Sequence, residues 1–444
     1  MQKIFNKILA CFLGATALLT VASCKDDTYA DRDRGAKPEV IYARLCDLDK
    51  SDSLLVRASL GTHLCFVGNH LGDVQQVWFN DQKCKLNPTL VTSNTIICDI
   101  PSVIPGEVTN KVKFITSTGL TTEFPFEVVV PGPVVETMSL EYAPAGSTVI
   151  LTGSYFVDDP NVPMTVVFTG GVEAVIKSVE QDKVEIVVPE GALPGPITVT
   201  TIYGSTETAL HYMDQRGMMF EFDGVTGLTN HGWHNAVIET DDNAISGNYM
   251  RLGDPSITLP GVDAWDDGHF AFEYWAGSWN TPTDYPEREG IRLIDIVDFS
   301  KWQDMSIKFE LCVPSANPWQ SCAMQIIFAG TNLISMGNAG VDIYGNTVAG
   351  CNNTFFQDSA NPGYPRILYR PWTASEAFHT SDQWITVTIP LTEAAYDFNG
   401  GNATQGLTPE SFSSLTIFVV GGGVEGVDCN PVLKIDNIRV VPSK

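Results

Sequence analysis

The chain has 444 residues, with 26 basic against 52 acidic side chains and a formal net charge of −26. That balance disfavours a nucleic-acid partner, whose phosphates need clustered lysine and arginine, and mildly disfavours polyanionic glycans, whereas a neutral ligand meets no such penalty. Hydrophobic residues make up 44% of the chain, enough for real cores, and the length suits roughly three domains.

In chain order, Lys3 and Lys7 come first and an apolar run follows from Ile8 to Val21. A membrane-spanning helix needs about 20 apolar residues, so the run reads as a secretory signal. It ends in Val21, Ala22, Ser23 and Cys24, which resembles the bacterial lipobox. The resemblance implies that residues 1–23 are removed and that Cys24 is acylated. Cys11 fits the same pattern loosely but leaves too short an apolar region. Lys25, Asp26 and Asp27 resemble the surface-export signal of Bacteroidetes lipoproteins, which implies a lipid anchor in the outer membrane at the cell surface. Residues 24–36 are polar and charged, and are expected to be a flexible tether because they have nothing to bury.

Ten cysteines are present, with no C-x-x-C pair and no zinc spacing, so no zinc site is expected, and no cofactor is expected. The acidic loop DAWDDG from Asp263 offers oxygen ligands for a structural Ca2+ but lacks EF-hand spacing, which leaves that alternative open. An exported compartment permits disulfides. Cys84 with Cys98, and Cys312 with Cys322, are candidate local pairs, and small buried thiols account for them equally well.

Helical periodicity is nearly absent. Short alternating segments between Gly, Pro, Asn and Asp indicate an all-β protein. Two stretches repeat each other, GTHLCFVGNHL from Gly61 and GSTVILTGSYF from Gly146. In each a glycine opens an apolar strand and a second glycine, Gly68 or Gly153, closes it before an anchor, Leu71 or Phe156. Then come VWFN and VVFT, Ile100-Pro101 and Val188-Pro189, Pro105-Gly106 and Pro194-Gly195, and finally Gly119 and Gly204, at offsets of 85 to 89 residues. About seven short strands per unit is the size of an immunoglobulin-like sandwich. The two units, 37–130 and 131–213, resemble the IPT/TIG family of Ig-like modules, which implies a spacer role for both.

Beyond Met213 the composition shifts, and eight of the nine tryptophans lie there. Met305, Ile307, Phe309, Leu311 and Val313 alternate with Ser306, Lys308, Glu310 and Cys312, which predicts a strand with one buried and one polar face. Similar strands at Ile385–Ile389, Leu415–Val420 and Leu433–Val441 predict one larger jelly-roll or galactose-binding-like sandwich over 214–444. FEFDG at Phe220, GWH at Gly232, ISGNYMRL at Ile245, FEYWAGSW, WITVTIPL and LKIDNIRVV resemble the glycan-binding domain of Bacteroidetes surface glycan-binding lipoproteins, which serve starch-utilisation-type (SusC/SusD-type) transporters. The resemblance implies a non-catalytic protein that holds a polysaccharide, a neutral β-glucan or hemicellulose such as xyloglucan or mixed-linkage β-glucan.

Sugars with flat C–H faces are held by flat aromatic rings placed outside the core pattern. The densest such cluster surrounds Tyr274, Trp275 and Trp279. In HFAFEYW the alternation assigns Phe270 and Phe272 to the core, and the adjacent pair Tyr274 and Trp275 resembles an aromatic pair in the family's platform. Trp319 in SANPWQS, Trp372 in YRPWT and Trp233 in GWH complete the candidates for glycan contact. Asn280, Asp284, Glu287, Arg288 and Gln320 are the neighbouring polar groups. A glycoside hydrolase needs two carboxylates about 5–9 Å apart. Asp266, Asp267, Glu273, Glu287 and Glu289 supply carboxylates, but no G-x-S-x-G, H-E-x-x-H or P-loop accompanies them. The alternative to glycan capture is a surface adhesin whose aromatic tip binds a protein partner, and hydrolysis ranks behind both.

Overall fold

The computed structural model describes residues 28–50, 52–228, 236–262, 266, 268–274, 291–330 and 363–443. It forms two compact units, Met1–Gly132 with Val157–Pro163, and Pro133–Phe156 with Met164–Lys444. Strands supply the regular structure, as expected. Among the described residues the one α-helix is a five-residue turn, α1, Tyr29–Asp33.

That turn lies within residues 24–36, the expected flexible tether. The Thr28 hydroxyl accepts the Asp31 N–H at 3.2 Å, and the buried Asp33 carboxylate accepts the Gly72 N–H at 2.8 Å. A Cβ on Gly72 would sit 2.4 Å from the Tyr29 carbonyl oxygen, so the close approach of α1 requires glycine there.

In the first unit, Glu39–Leu45, His63–Asn69 and Thr95–Asp99 pair in that order, facing a sheet ordered Gln82–Lys83, Val74–Phe79, Lys111–Thr116 and Thr121–Pro125. The second unit begins with the same plan. Val134–Met138, Thr148–Ser154, Lys183–Val187 and Val175–Val179 form one sheet, and Val172–Glu173, Thr165–Phe168, Gly195–Thr201 and Gly204–Tyr212 form the other. Period-2 alternation turns Leu64 and Phe66, and likewise Val149 and Leu151, into the two cores.

The repeated second glycine has a steric cause. The opening strand of each small sandwich bulges, between Val40 and Tyr42 and between Val135 and Thr137, where it crosses Gly68 or Gly153. A Cβ at either glycine would lie 1.9 Å from a carbonyl oxygen, of Glu39 or Val134 respectively. Both bulges therefore need a bare backbone opposite them.

The large sandwich follows in the second unit. Its strands are β1 (Met218–Phe220), β2 (Val237–Glu239), β3 (Tyr249–Leu252), β4 (Ala271–Tyr274), β5 (Met305–Cys312), β6 (Met324–Ala329), β7 (Ile367–Tyr369), β8 (Ile385–Pro390), β9 (Ser414–Val419) and β10 (Leu433–Pro442). One sheet runs β2-β3-β10-β5-β8 with β1 also on β10, and the other runs β4-β9-β6-β7. Their inner faces meet in a single core that includes Phe220, Phe272, Phe309, Ile326, Leu415 and Ile435.

The polar face predicted for β5 does not meet water. All eight residues of β5 are buried. Lys308 and Glu310 point away from the core and are covered by the second small sandwich. Glu141 of that sandwich accepts Lys308 Nζ at 2.5 Å and Arg439 Nη2 at 2.7 Å. Arg439, fully buried on β10, also reaches both oxygens of Glu310 at 2.9 and 3.0 Å and lies 5.0 Å from the Tyr142 ring centre. Burial works against the Arg439 charge, but Glu310 and Glu141 outweigh it and hold the guanidinium charged above its ordinary range. Thr386 joins the same contact. Its N–H bonds Ser139 O at 2.9 Å, and its hydroxyl bonds the Glu141 N–H at 2.7 Å and Glu310 at 3.0 Å. Asp436, opposite Glu310 in the ladder, has its carboxyl pushed up to about 8 by burial, with partial relief from the Ser246 hydroxyl and the Asn437 N–H.

Of the two candidate cysteine pairs, Cys312 and Cys322 are separated. Cys312 packs outside the sheet with Tyr249 and Trp384, whereas Cys322 belongs to the main core, so this pairing is corrected.

Replacing Gly153 with alanine is expected to destabilise the second unit by about 1–3 kcal/mol, because Val134 must move. Gly406→Ala, where a Cβ meets nothing within 4 Å, is the control and is expected to stay within about 0.5 kcal/mol of the parent. Urea midpoints of the two variants check this.

Candidate functional site

Strand β4 organises the candidate site. Its alternation places Phe272 and Tyr274 in the core and Ala271 and Glu273 on the outer face of the β4-β9-β6-β7 sheet, all four buried. Tyr274 packs edge-on against Phe220 with ring centres 5.3 Å apart, and its hydroxyl donates to Ile291 O at 2.6 Å. Burial pushes this phenol up to about 12. Tyr274 is therefore a fixed end post for β4 and offers no open ring face.

Register shows what surrounds that post. Tyr274 lies opposite Leu415 in β9, Ala329 at the end of β6 lies opposite Ser414, and Ile367 at the start of β7 lies opposite Ile326. The C-terminal ends of β4 and β6 and the N-terminal end of β7 thus gather at one end of the sheet. Trp275, Trp279, Asn280, Asp284, Glu287 and Arg288 follow β4 directly and lie outside the described residues, as does Trp233.

Trp319 and Trp372 are elsewhere and are corrected. Trp319 is fully buried. Its indole N–H donates to Ser321 O at 2.6 Å, and its backbone pairs with Phe378 at 2.9 Å in both directions. Trp372 sits in the short 3-10 turn Pro371–Ala374 and donates to Cys322 O at 2.7 Å. Both belong to the main core, and a ring with no solvent face cannot stack on a sugar. Their loops carry turn residues yet close over the sandwich, so loop composition misled where the general tendency of large aromatics to pack holds. Gln320, beside Trp319, is half-buried, and its carbonyl accepts the Val427 N–H at 3.1 Å.

Sequence reasoning missed a polar row on the outer face of the same sheet. Gln325, Arg366 and Thr416 are buried there beside Glu273. Arg366 donates to Gln325 Oε1 at 2.8 Å and lies 5.5 Å from the Phe398 ring centre, while Gln325 Nε2 donates to Val420 O at 2.7 Å. Burial pushes the Arg366 guanidinium down to about 10. The available signal was an arginine one residue ahead of an apolar strand, at the position whose neighbour Ile367 faces the core. Of the carboxylates weighed for hydrolysis, Glu273 is buried in this row and Asp266 accepts the His269 N–H at 3.0 Å, while Asp267, Glu287 and Glu289 lie outside the described residues.

Comparison with known proteins adds the following. Residues 212–442 match the family model described as the surface glycan-binding protein B xyloglucan binding domain, and residues 55–127 and 133–216 match the IPT/TIG domain. The crystal structure of the surface glycan-binding protein PbSGBP-B from Prevotella bryantii is similar to this chain at 40% identity and a TM-score of 0.84, covering 92% of this chain and 99% of that one. An IPT/TIG domain-containing protein of Bacteroides ovatus is 30% identical over 145 residues, which are 31% of this chain and 28% of that protein.

Truncating Trp319 or Trp372 to alanine is expected to cost about 3–5 kcal/mol of unfolding free energy, the range for emptying a large aromatic from a core. Urea denaturation measures it. A variant of either residue with unchanged stability contradicts the assignment to packing.

Proposed function

Because the chain belongs to the surface glycan-binding protein B family, we propose that it captures a neutral β-glucan or hemicellulose at the cell surface without cleaving it. The observation that carries this reading is the family match over 212–442, the residues that build the large sandwich. Xyloglucan and mixed-linkage β-glucan are the proposed ligands. Their lack of charge suits a chain with a net charge of −26.

The proposed platform consists of Trp275, Trp279 and Trp233. Tyr274 supports it from the core, since its fixed ring and hydroxyl set where the chain leaves β4. In the proposed organisation, Cys24 carries the lipid in the outer membrane, residues 37–130 and 131–213 are spacers, and 214–444 binds the glycan for a SusC/SusD-type uptake system. Only a few rings touch each chain, so single sites bind weakly, and many anchored copies on one polymer supply avidity.

Affinity electrophoresis in gels containing each neutral polysaccharide tests the reading. Retardation by xyloglucan or mixed-linkage β-glucan is expected, with Trp275→Ala weakening it at least about tenfold, the loss of roughly 1.4 kcal/mol that one stacking ring supplies. The thermal midpoint of that variant is expected to be unchanged. No retardation in any gel contradicts glycan capture and favours a protein partner, and release of reducing ends contradicts the non-catalytic assignment.

A further inference from the structure

Two cysteines of the first small sandwich point into one core from facing sheets. Cys98 lies opposite the fully buried Leu64 in the strand Thr95–Asp99. Cys84 continues the hairpin Val74–Phe79/Gln82–Lys83, with its N–H on Val77 O at 2.8 Å, so it shares the inward direction of the fully buried Val77. Each is 4% exposed and a free thiol, and each perturbs the other's ionisation. Of the other described cysteines, Cys46 is half-buried and interacts electrostatically with Cys65 and Cys98, Cys65 makes its contact with Phe66 O, Cys312 with Asn243, Cys322 with the Pro260 and Val262 carbonyls, and Cys429 with Ser321.

We propose that Cys84 and Cys98 form an inter-sheet disulfide in the exported protein, a covalent staple that closes the chain between them. The proposal depends on export to an oxidising compartment and not on which ligand the large sandwich holds. The oxidant is the disulfide of a thiol–disulfide carrier. One thiolate attacks a carrier sulfur, forming a mixed disulfide and releasing one carrier thiolate. The second cysteine, after losing its proton to solvent, attacks the mixed disulfide and displaces the other carrier thiolate. One protein disulfide forms, one carrier disulfide becomes a dithiol, and both electrons are accounted for. The exchange takes place before the two sheets close, since the folded pair is shielded.

The full chain, refolded in the presence of oxidised glutathione, would be alkylated under denaturing, non-reducing conditions and digested. Mass spectrometry is expected to find a Cys84–Cys98 linked peptide. Reduction is expected to lower the thermal midpoint of the first unit by roughly 10 °C or more, the effect of reopening a loop of about 15 residues. A double variant, Cys84→Ala with Cys98→Ala, folds with the lower midpoint and shows no response to reductant. Full alkylation of both cysteines after oxidation, or linkage of either to a different cysteine, overturns the proposal.

Discussion

Arg439 is the residue on which the second unit depends. A guanidinium buried without partners is prohibitively costly, and removing one partner of a buried ion pair costs several kcal/mol. Here its partners come from two sources, Glu310 on the neighbouring strand and Glu141 from the second small sandwich. Neither sandwich can leave the other without stranding a charge. Lys308 balances the second carboxylate, so two cations meet two anions, and Asp436, pushed up to about 8, sits beside them largely protonated at neutral pH. The small sandwich is therefore welded to the outer face of the β2-β3-β10-β5-β8 sheet.

Much of this fold can be read in the residues. The 85-residue offset between Gly68 and Gly153 marks two copies of one strand order, because in both copies a bulged strand passes within 1.9 Å of where a side chain would start. The alternation in β5 and β4 correctly separates inner from outer side chains. What alternation cannot report is what the outer side chains meet. Lys308 and Glu310 look like solvated charges, and only the covering small sandwich, whose Glu141 binds Lys308 from 167 residues away in the chain, makes them interior. Arg366 and Glu273 are also buried, on the outer face of the other sheet.

The candidate binding residues divide along the same line. Trp319 and Trp372 follow turn-rich sequences, which normally signal surface. The loops here fold inward, and each indole N–H finds a backbone carbonyl, so burial carries no unsatisfied donor. Tyr274 is likewise held in the core, and its value lies in fixing the strand end. The Prevotella bryantii protein shares this chain's fold over nearly its whole length, which ties that architecture to surface glycan binding.

The most direct test of the welded second unit is calorimetry of the full chain beside Arg439→Met, a substitution that keeps bulk and removes the charge. The account predicts that the second small sandwich and the large sandwich of the parent melt in one cooperative transition. In the variant the transition either splits in two or falls by the equivalent of about 3–5 kcal/mol, the cost of leaving Glu310 buried without its cation while Glu141 keeps only Lys308. Separate transitions for the two sandwiches in the parent, or a variant that melts like the parent, would contradict it.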